Sequence, residues 1–403
     1  MSQALIIIHC QSCYSLESII IPEAVTNIGD DSFAGCKSLT SVIIPKNVTT
    51  IGTCAFLSCT GLTSITIPEN VTTIGSRAFR GCTNLVSIDI PDGVNCIGND
   101  AFYSTPWYDN QPDGLVYAGK VAYKYKGEMP EGTQIVIKEG TKGLSQNMFE
   151  ICPGLSSIFI PKSVTYISDH IFDDLNNLIS IVIEEGNCVY DSRDGCNAII
   201  ETATNTLVLG CQNTVIPDDV LQIGDFAFWL CRGLTSITIP EGVRSIGYAS
   251  FYGCNGLESI TIPNNVTSID KKTFMNCRKL KSITLGSSLK NIKVEAFWEC
   301  WPTFLACYAE IPPTCDIMTF AGTPEKCTLY VPKNSIDAYK SAEIWKKFVS
   351  IKDISEAETS INTTIAKENA NSIYDLQGRK VNSQLRKKGI YIQNGKKSLD
   401  IRP

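Results

Sequence analysis

The sequence predicts an α/β-type repeat solenoid, a rod or horseshoe of about thirteen coils with a parallel β-ladder along one face. Three observations lead there. The stretch Leu62 to Cys82, LTSITIPENVTTIGSRAFRGC, returns with small changes every 23 residues. The residue after its short apolar run recurs in phase at Pro22, Pro45, Pro68, Pro91, Pro161, Pro217, Pro240 and Pro263, with Lys138, Glu184 and Gly286 in the same slot. Eleven residues beyond each slot stands Phe33, Phe56, Phe79, Phe102, Phe149, Phe172, Phe228, Phe251, Phe274 or Phe297, and only the Glu184 coil lacks one. Past Gly286 the count lands on Ala309, with Phe320 eleven residues on, and then on Pro332. Units of one period that cannot bury their apolar face alone do so by stacking on their neighbours.

Within a unit, Leu62, Ile65, Ile67, Val71, Ile74 and Phe79 are the inward positions. Alternation in Ser64-Ile65-Thr66-Ile67 reads as a strand with one face inward, and the proline after it stops that strand. Gly29, Gly52, Gly75, Gly98, Gly224 and Gly247 are read as supplying a permissive turn on the return path. The first repeat starts within the chain's opening residues, with Leu5 in the slot of Ile28 and Cys13 in that of Cys36, so the chain reads as one missing its start.

The recurring unit LxxIxIPxxVxxIGxxAFxGCxx resembles the BspA-type leucine-rich repeat of bacterial and protozoan surface proteins, from about Leu16 to Val331. That resemblance implies a horseshoe or rod, surface exposure, and adhesion or binding of host matrix proteins rather than catalysis. It names no ligand, because function lives in sites grafted on folds.

Composition agrees with a large soluble core: 403 residues, 43% hydrophobic and 19% charged. No apolar run approaches the roughly twenty residues that span a bilayer, and Leu5 to Ile8 has no preceding Lys or Arg to make it a signal peptide. Of the 18 cysteines, Cys13, Cys36, Cys59, Cys82, Cys152, Cys231, Cys254, Cys277 and Cys300 share one slot, which reads as an inward ladder of small apolar side chains. Cys10-Gln11-Ser12-Cys13 has CxxC spacing, but Cys10 takes the phenylalanine slot and no second close pair completes a zinc site. Cys307, Cys315 and Cys327 leave one terminal disulfide open.

Two insertions, about 103–130 and 185–213, interrupt the period and preserve its phase. In the first, Leu115 to Tyr123 reads as a hairpin turning at Gly119, amid Trp107, Tyr108, Tyr117, Tyr123 and Tyr125. In the second, Ala198-Ile199-Ile200-Glu201 and Leu207-Val208-Leu209 flank Thr202 to Thr206. The aromatics have two readings: they cover a local defect in the stack, or Trp107, Tyr108, Tyr117 and Tyr123 form a platform on which a glycan stacks.

The outward side of the strand ladder is the expected ligand face. A serine row runs through Ser18, Ser41, Ser64, Ser87, Ser157, Ser180, Ser236, Ser259 and Ser282. Beside it lies a variable row, Ile20, Ile43, Thr66, Asp89, Val136, Phe159, Val182, Val215, Thr238, Thr261 and Thr284, whose middle is apolar. Val136, Phe159, Val182 and Val215 therefore read as a partner-binding patch, or as a floor that the hairpins cover.

Catalysis finds no support. The two histidines are His9, in the broken first coil, and His170, in a slot that reads as an exposed turn; no GxSxG or phosphate-loop context appears. Acidic pairs such as Asp173-Asp174 sit on turns, and Asp191 to Gly195 is only a fragment of a calcium loop. Neither a cofactor nor a metal is called for, and a net charge of −6 lacks the basic stripe of nucleic-acid binding. The protein reads as a monomer.

Residues 371–403 hold eight of the 35 basic residues and two of the 41 acidic ones, which leaves the rest of the chain at −12. Ser335 to Phe348 has helical spacing in Ile336, Tyr339, Ile344 and Trp345, suiting a cap on the last coil. The organisation expected is a solenoid over 1–300, degenerate coils and cap over 301–355, a linker over 356–372, and a β-rich tail over 373–403. In that tail, YDLQGRKV at 374–381 and KGIYI at 388–392 are similar to the C-terminal sorting tail of proteins exported by the type IX secretion system of Bacteroidetes, which implies export and surface attachment. The expectation is thus a non-enzymatic cell-surface or secreted protein, an adhesin for extracellular or host proteins, with glycan capture as the alternative.

Overall fold

A computed structural model describes residues 10–172, 174–321, 323 and 325–357, and the backbone of 373–374, 389–393 and 396–400. Leu5 to Ile8, His9, Asp173 and most of the expected linker lie outside the described residues. The chain winds into a β-solenoid of about 14 turns. Each turn contributes a short outward strand, such as Ser64–Thr66, and on its return path a two-residue strand, such as Thr73–Ile74. Like strands pair in parallel: Ser64↔Ser87 and Ile65↔Ile88 on the outward ladder, Thr73↔Cys96 and Ile74↔Ile97 on the return ladder. The inward positions are as the period predicts, with Leu62, Ile65, Ile67, Val71, Ile74 and Phe79 all buried.

Helix is scarcer than an α/β repeat implies, being confined to short segments such as Pro106–Asp109 and Ile336–Ser341. The backbone explains this. Two residues before and two after the phenylalanine it turns left-handed, at Arg77 (φ 57°) and Gly81 (φ 72°) around Phe79, and at Glu295 (φ 62°) and Glu299 (φ 57°) around Phe297. A right-handed helix cannot run through such residues. What the turns achieve is to aim each ring straight into the rod.

The rings form columns. Phe33, Phe56, Phe79 and Phe102 stack at 5.2, 5.3 and 5.8 Å between centroids, and Phe228, Phe251, Phe274, Phe297 and Phe320 at 4.9, 5.1, 5.2 and 5.4 Å. Between the columns stands the pair Phe149 and Phe172, at 6.5 Å.

The conserved-phase glycines serve a purpose other than the permissive turn expected of them. Gly52, Gly75, Gly98 and Gly247 have no left-handed φ. A Cβ on Gly75 would lie 2.5 Å from the Thr53 nitrogen and one on Gly98 2.3 Å from that of Ser76. Glycine is required there by the preceding coil's backbone, which passes too close for any side chain.

Phase continues across Gly286 to Pro332, with a local exchange. Leu285 pairs with Cys307, a step of 22, and Ala306 pairs with Tyr330, a step of 24. The rung therefore falls one residue earlier than Ala309, while Phe320 keeps its place on Phe297. The cap forms around buried Tyr339 and Trp345: the tyrosine hydroxyl donates to Ala309 O at 2.8 Å and the Trp345 indole N–H to Pro313 O at 2.8 Å. One further rung, Ser350–Asp353, pairs with Thr328–Val331 beyond the expected cap. In the tail, Ile373–Tyr374, Gly389–Gln393 and Lys396–Asp400 form an antiparallel sheet.

Candidate binding face

Both insertions are the hairpins expected, and both are built into the rod. Gly114–Ala118 and Val121–Lys126 pair antiparallel across Gly119, whose φ is 60°, and Val121 then pairs in parallel with Gly143 of the return ladder. Side chains alternate between two cores: Val116, Ala118, Val121 and Tyr123 pack with the N-terminal coils, while Leu115, Tyr117, Ala122 and Tyr125 pack with the middle ones. Period-two alternation with both faces apolar makes this hairpin a leaf between two stacks. The second hairpin, Ala198–Glu201 with Thr206–Gly210, repeats the device, with Ala198, Ile200 and Leu207 on the C-terminal core and Ile199 and Leu209 on the middle one.

This placement corrects the stacking platform. Tyr123 is 1% exposed and Tyr108 8%. The Tyr123 hydroxyl accepts the Phe102 N–H at 3.0 Å, and its ring meets Phe102 and Tyr108 edge-on. Burial raises both phenols above the ordinary tyrosine range. Half-buried Trp107 closes the same phenylalanine column, 4.9 Å from Phe102 and edge-on. Tyr117, also half-buried, accepts the Lys138 N–H at 3.0 Å and lies under the Lys138 ammonium at 4.3 Å. Tyr108 and Tyr123 thus offer a sugar no open ring face, and Trp107 and Tyr117 are partly packed against protein.

The apolar rungs are open. Gln134, Ser157 and Ser180 align across three parallel strands, as do Val136, Phe159 and Val182 beside them. Val136 is 70% exposed and Val182 41%, with Phe159 half-buried between them; neither hairpin folds over this row. Val215 is exposed too but stands apart, which corrects its place in the patch. The second insertion runs back between the rungs: Ile183 N–H donates to Ser192 Oγ at 2.9 Å, Thr214 Oγ1 donates to Asn197 O at 2.7 Å, and Val215 N–H donates to Cys196 O at 3.0 Å. Val215 instead borders a shallow groove of about 850 Å³ with Ser236, Thr238, Ser259 and Thr261. At the other end Ile20 and Ile43 pair in register and are exposed.

A second apolar stripe on the turn side was missed. Trp229, Tyr252, Met275 and Trp298 each follow a column phenylalanine, and Trp229 stacks on Tyr252 at 4.1 Å. His170 is half-buried rather than free on its turn, its ring 4.3 Å from Phe226. The signal was present in the sequence as large residues at the variable position of AFxGC.

The cysteine slot also does more than fill space. The Cys59 thiol donates to Phe33 O at 3.1 Å, Cys82 to Phe56 O at 3.1 Å, Cys277 to Phe251 O at 3.1 Å and Cys300 to Phe274 O at 2.9 Å, so along the two phenylalanine columns these thiols bond a coil to the one before it, whereas Cys152 donates to Glu150 O in its own coil. Cys13, first in that slot, is exposed and not part of the core ladder. All eighteen cysteines are thiols, Cys307, Cys315 and Cys327 among them. Arg193 grips Asp191 at 2.8 and 2.6 Å, so its guanidinium supplies the positive charge a calcium ion would bring. Among the described residues no helix is long and apolar enough to cross a membrane.

Two parallel ladders, a stacked aromatic core and an open strand face define a repeat solenoid of the leucine-rich class. The family profile described as "BspA type Leucine rich repeat region (6 copies)" matches residues 9–111, 119–193 and 207–311, and the chain belongs to this family. No curated protein gave a match. Similar solved structures include a leucine rich cell surface protein from Faecalibacterium prausnitzii A2-165, at 25% identity over 84% of this chain and 87% of that one, TM-score 0.43. A leucine-rich repeat protein from Eubacterium ventriosum ATCC 27560 is similar at 21% identity over 82% and 81%, TM-score 0.42. The pneumococcal vaccine antigen PcpA is similar at 18% identity over 84% and 78%, TM-score 0.40.

Proposed function

We propose that the protein is a non-enzymatic, surface-exposed or secreted adhesin that grips an extracellular or host protein with its outward strand ladder. The observation that carries this reading is the row of Val136, Phe159 and Val182, apolar, open and aligned across three parallel strands beside Gln134, Ser157 and Ser180. An exposed contiguous apolar patch rimmed by polar residues is the usual mark of a protein contact, and a central aromatic flanked by aliphatic groups is the composition of a hot spot. Membership of the BspA-type family supports placement at the cell surface. Binding to a panel of immobilised matrix proteins should fall about tenfold or more in Phe159→Asp, with far-UV circular dichroism unchanged. Val136→Asp, at a more exposed position, gives the same test with less demand on packing. Undiminished binding by both variants would remove the patch.

The tail belongs to the same reading as an export address, on the wording YDLQGRKV and KGIYI. A fluorescent reporter carrying residues 373–403 should reach the medium or the cell surface in a host with type IX machinery. Its retention in the periplasm would sink that assignment.

A further inference from the structure

The first described coil differs chemically from those that follow. In later coils a turn closes with the cysteine-slot amide donating to the phenylalanine-slot carbonyl, as Cys36 does to Phe33 and Cys59 to Phe56, both at 3.2 Å. That turn sends both side chains inward, and Phe33, Cys36, Phe56 and Cys59 are fully buried. The same turn forms where Cys13 N–H donates to Cys10 O at 3.2 Å, with Ser12 left-handed at φ 58°. Here both slots hold cysteine, so two sulfurs stand where a ring and a sulfur stand elsewhere. A turn of this kind holds its end Cα atoms within about 7 Å, and disulfides span Cα separations of roughly 4.4–6.8 Å. Cys13 is exposed and Cys10 half-buried.

We propose that Cys10 and Cys13 are a redox-labile pair whose disulfide staples the first described turn of the solenoid. The oxidant is a small soluble disulfide of the glutathione class. The Cys13 thiolate attacks one of its sulfurs, forming a mixed disulfide and expelling one thiolate. Cys10 then gives up its proton to solvent and attacks the Cys13 sulfur, expelling the second. Two thiol protons are lost and two electrons pass to the oxidant. Cys13 leads because it meets solvent, whereas burial pushes the Cys10 thiol up. Cys36, whose thiol donates to Cys10 O at 2.9 Å, is fully buried and stays reduced. A loop of four residues gains little from chain entropy, which keeps the bond exchangeable.

The full native chain is treated with oxidised glutathione at the concentration that fully modifies exposed Cys188, then digested and its peptides weighed. The peptide holding Cys10 and Cys13 should lose two hydrogens, carry no glutathione, and regain the hydrogens under dithiothreitol. In Cys10→Ser, Cys13 should instead retain one glutathione. A wild-type peptide that keeps a glutathione on Cys13, or stays unmodified while Cys188 is complete, overturns the proposal.

Discussion

Phe251→Ala should be among the most destabilising single substitutions in the chain, costing on the order of 3–5 kcal/mol. Its ring is fully buried and lies between two partners, Phe228 at 4.9 Å and 8° and Phe274 at 5.1 Å and 9°. Truncation removes the ring's transfer energy, leaves a cavity the stacked coils cannot close, and breaks two aromatic contacts worth about 0.5–1.5 kcal/mol each beyond area. Phe172 sets the comparison. It is buried less completely, at 8% exposed, and has a stacked partner at the longer 6.5 Å, so Phe172→Ala should cost visibly less. Urea unfolding followed by circular dichroism ranks the two, and native-state hydrogen exchange locates the loss. Because coils touch only their neighbours, protection should drop around the 228–297 coils before it drops near Phe56. Equal losses for the two variants would show that the column carries no energy of its own.

That column was legible in the sequence because it depends on count alone: a ring every 23 residues in a stack must meet its neighbours. Features set by distance between coils were not. Nothing local to Gly75 reveals that the Thr53 backbone passes 2.5 Å from where its Cβ would be, so the glycine was read as a turn residue. Val215 kept its phase in the count while the inserted residues took the space beside it, and a count does not say where an insertion runs. The alternation at Leu115 to Tyr123 announced a hairpin with two apolar faces, yet only the structure shows both faces occupied, which turns Tyr123 from a presumed contact into a core residue. That Val136, Phe159 and Val182 face outward was readable because period two on a strand assigns faces without further information; that neither hairpin covers them was not, since alternation says nothing of where an insertion folds.

Raising the pH should unfold the protein steeply above about pH 9, and the cysteine ladder is the reason. Burial pushes the Cys82 and Cys231 thiols up to about 12, and also raises Cys59, Cys254 and Cys277 well above the ordinary thiol range. An unfolded thiol titrates near 8.5. Below that value both states hold the proton, so the ladder's contribution is complete and does not vary with pH. Above it the unfolded chain releases protons that the folded chain retains, and stability falls at up to about 1.4 kcal/mol per pH unit for each such thiol. By pH 10 that is on the order of 2 kcal/mol per thiol, and several thiols act together within one stack. The urea midpoint should therefore be flat from about pH 6 to about pH 8 and drop sharply beyond about pH 9. The double variant Cys254→Ala with Cys277→Ala loses two coil-to-coil thiol bonds, to Phe228 O and Phe251 O, and should start lower at neutral pH. Its alkaline slope should nonetheless be shallower, because two of the titrating groups are gone. Parallel curves for variant and wild type would mean that groups other than the buried thiols set the alkaline limit.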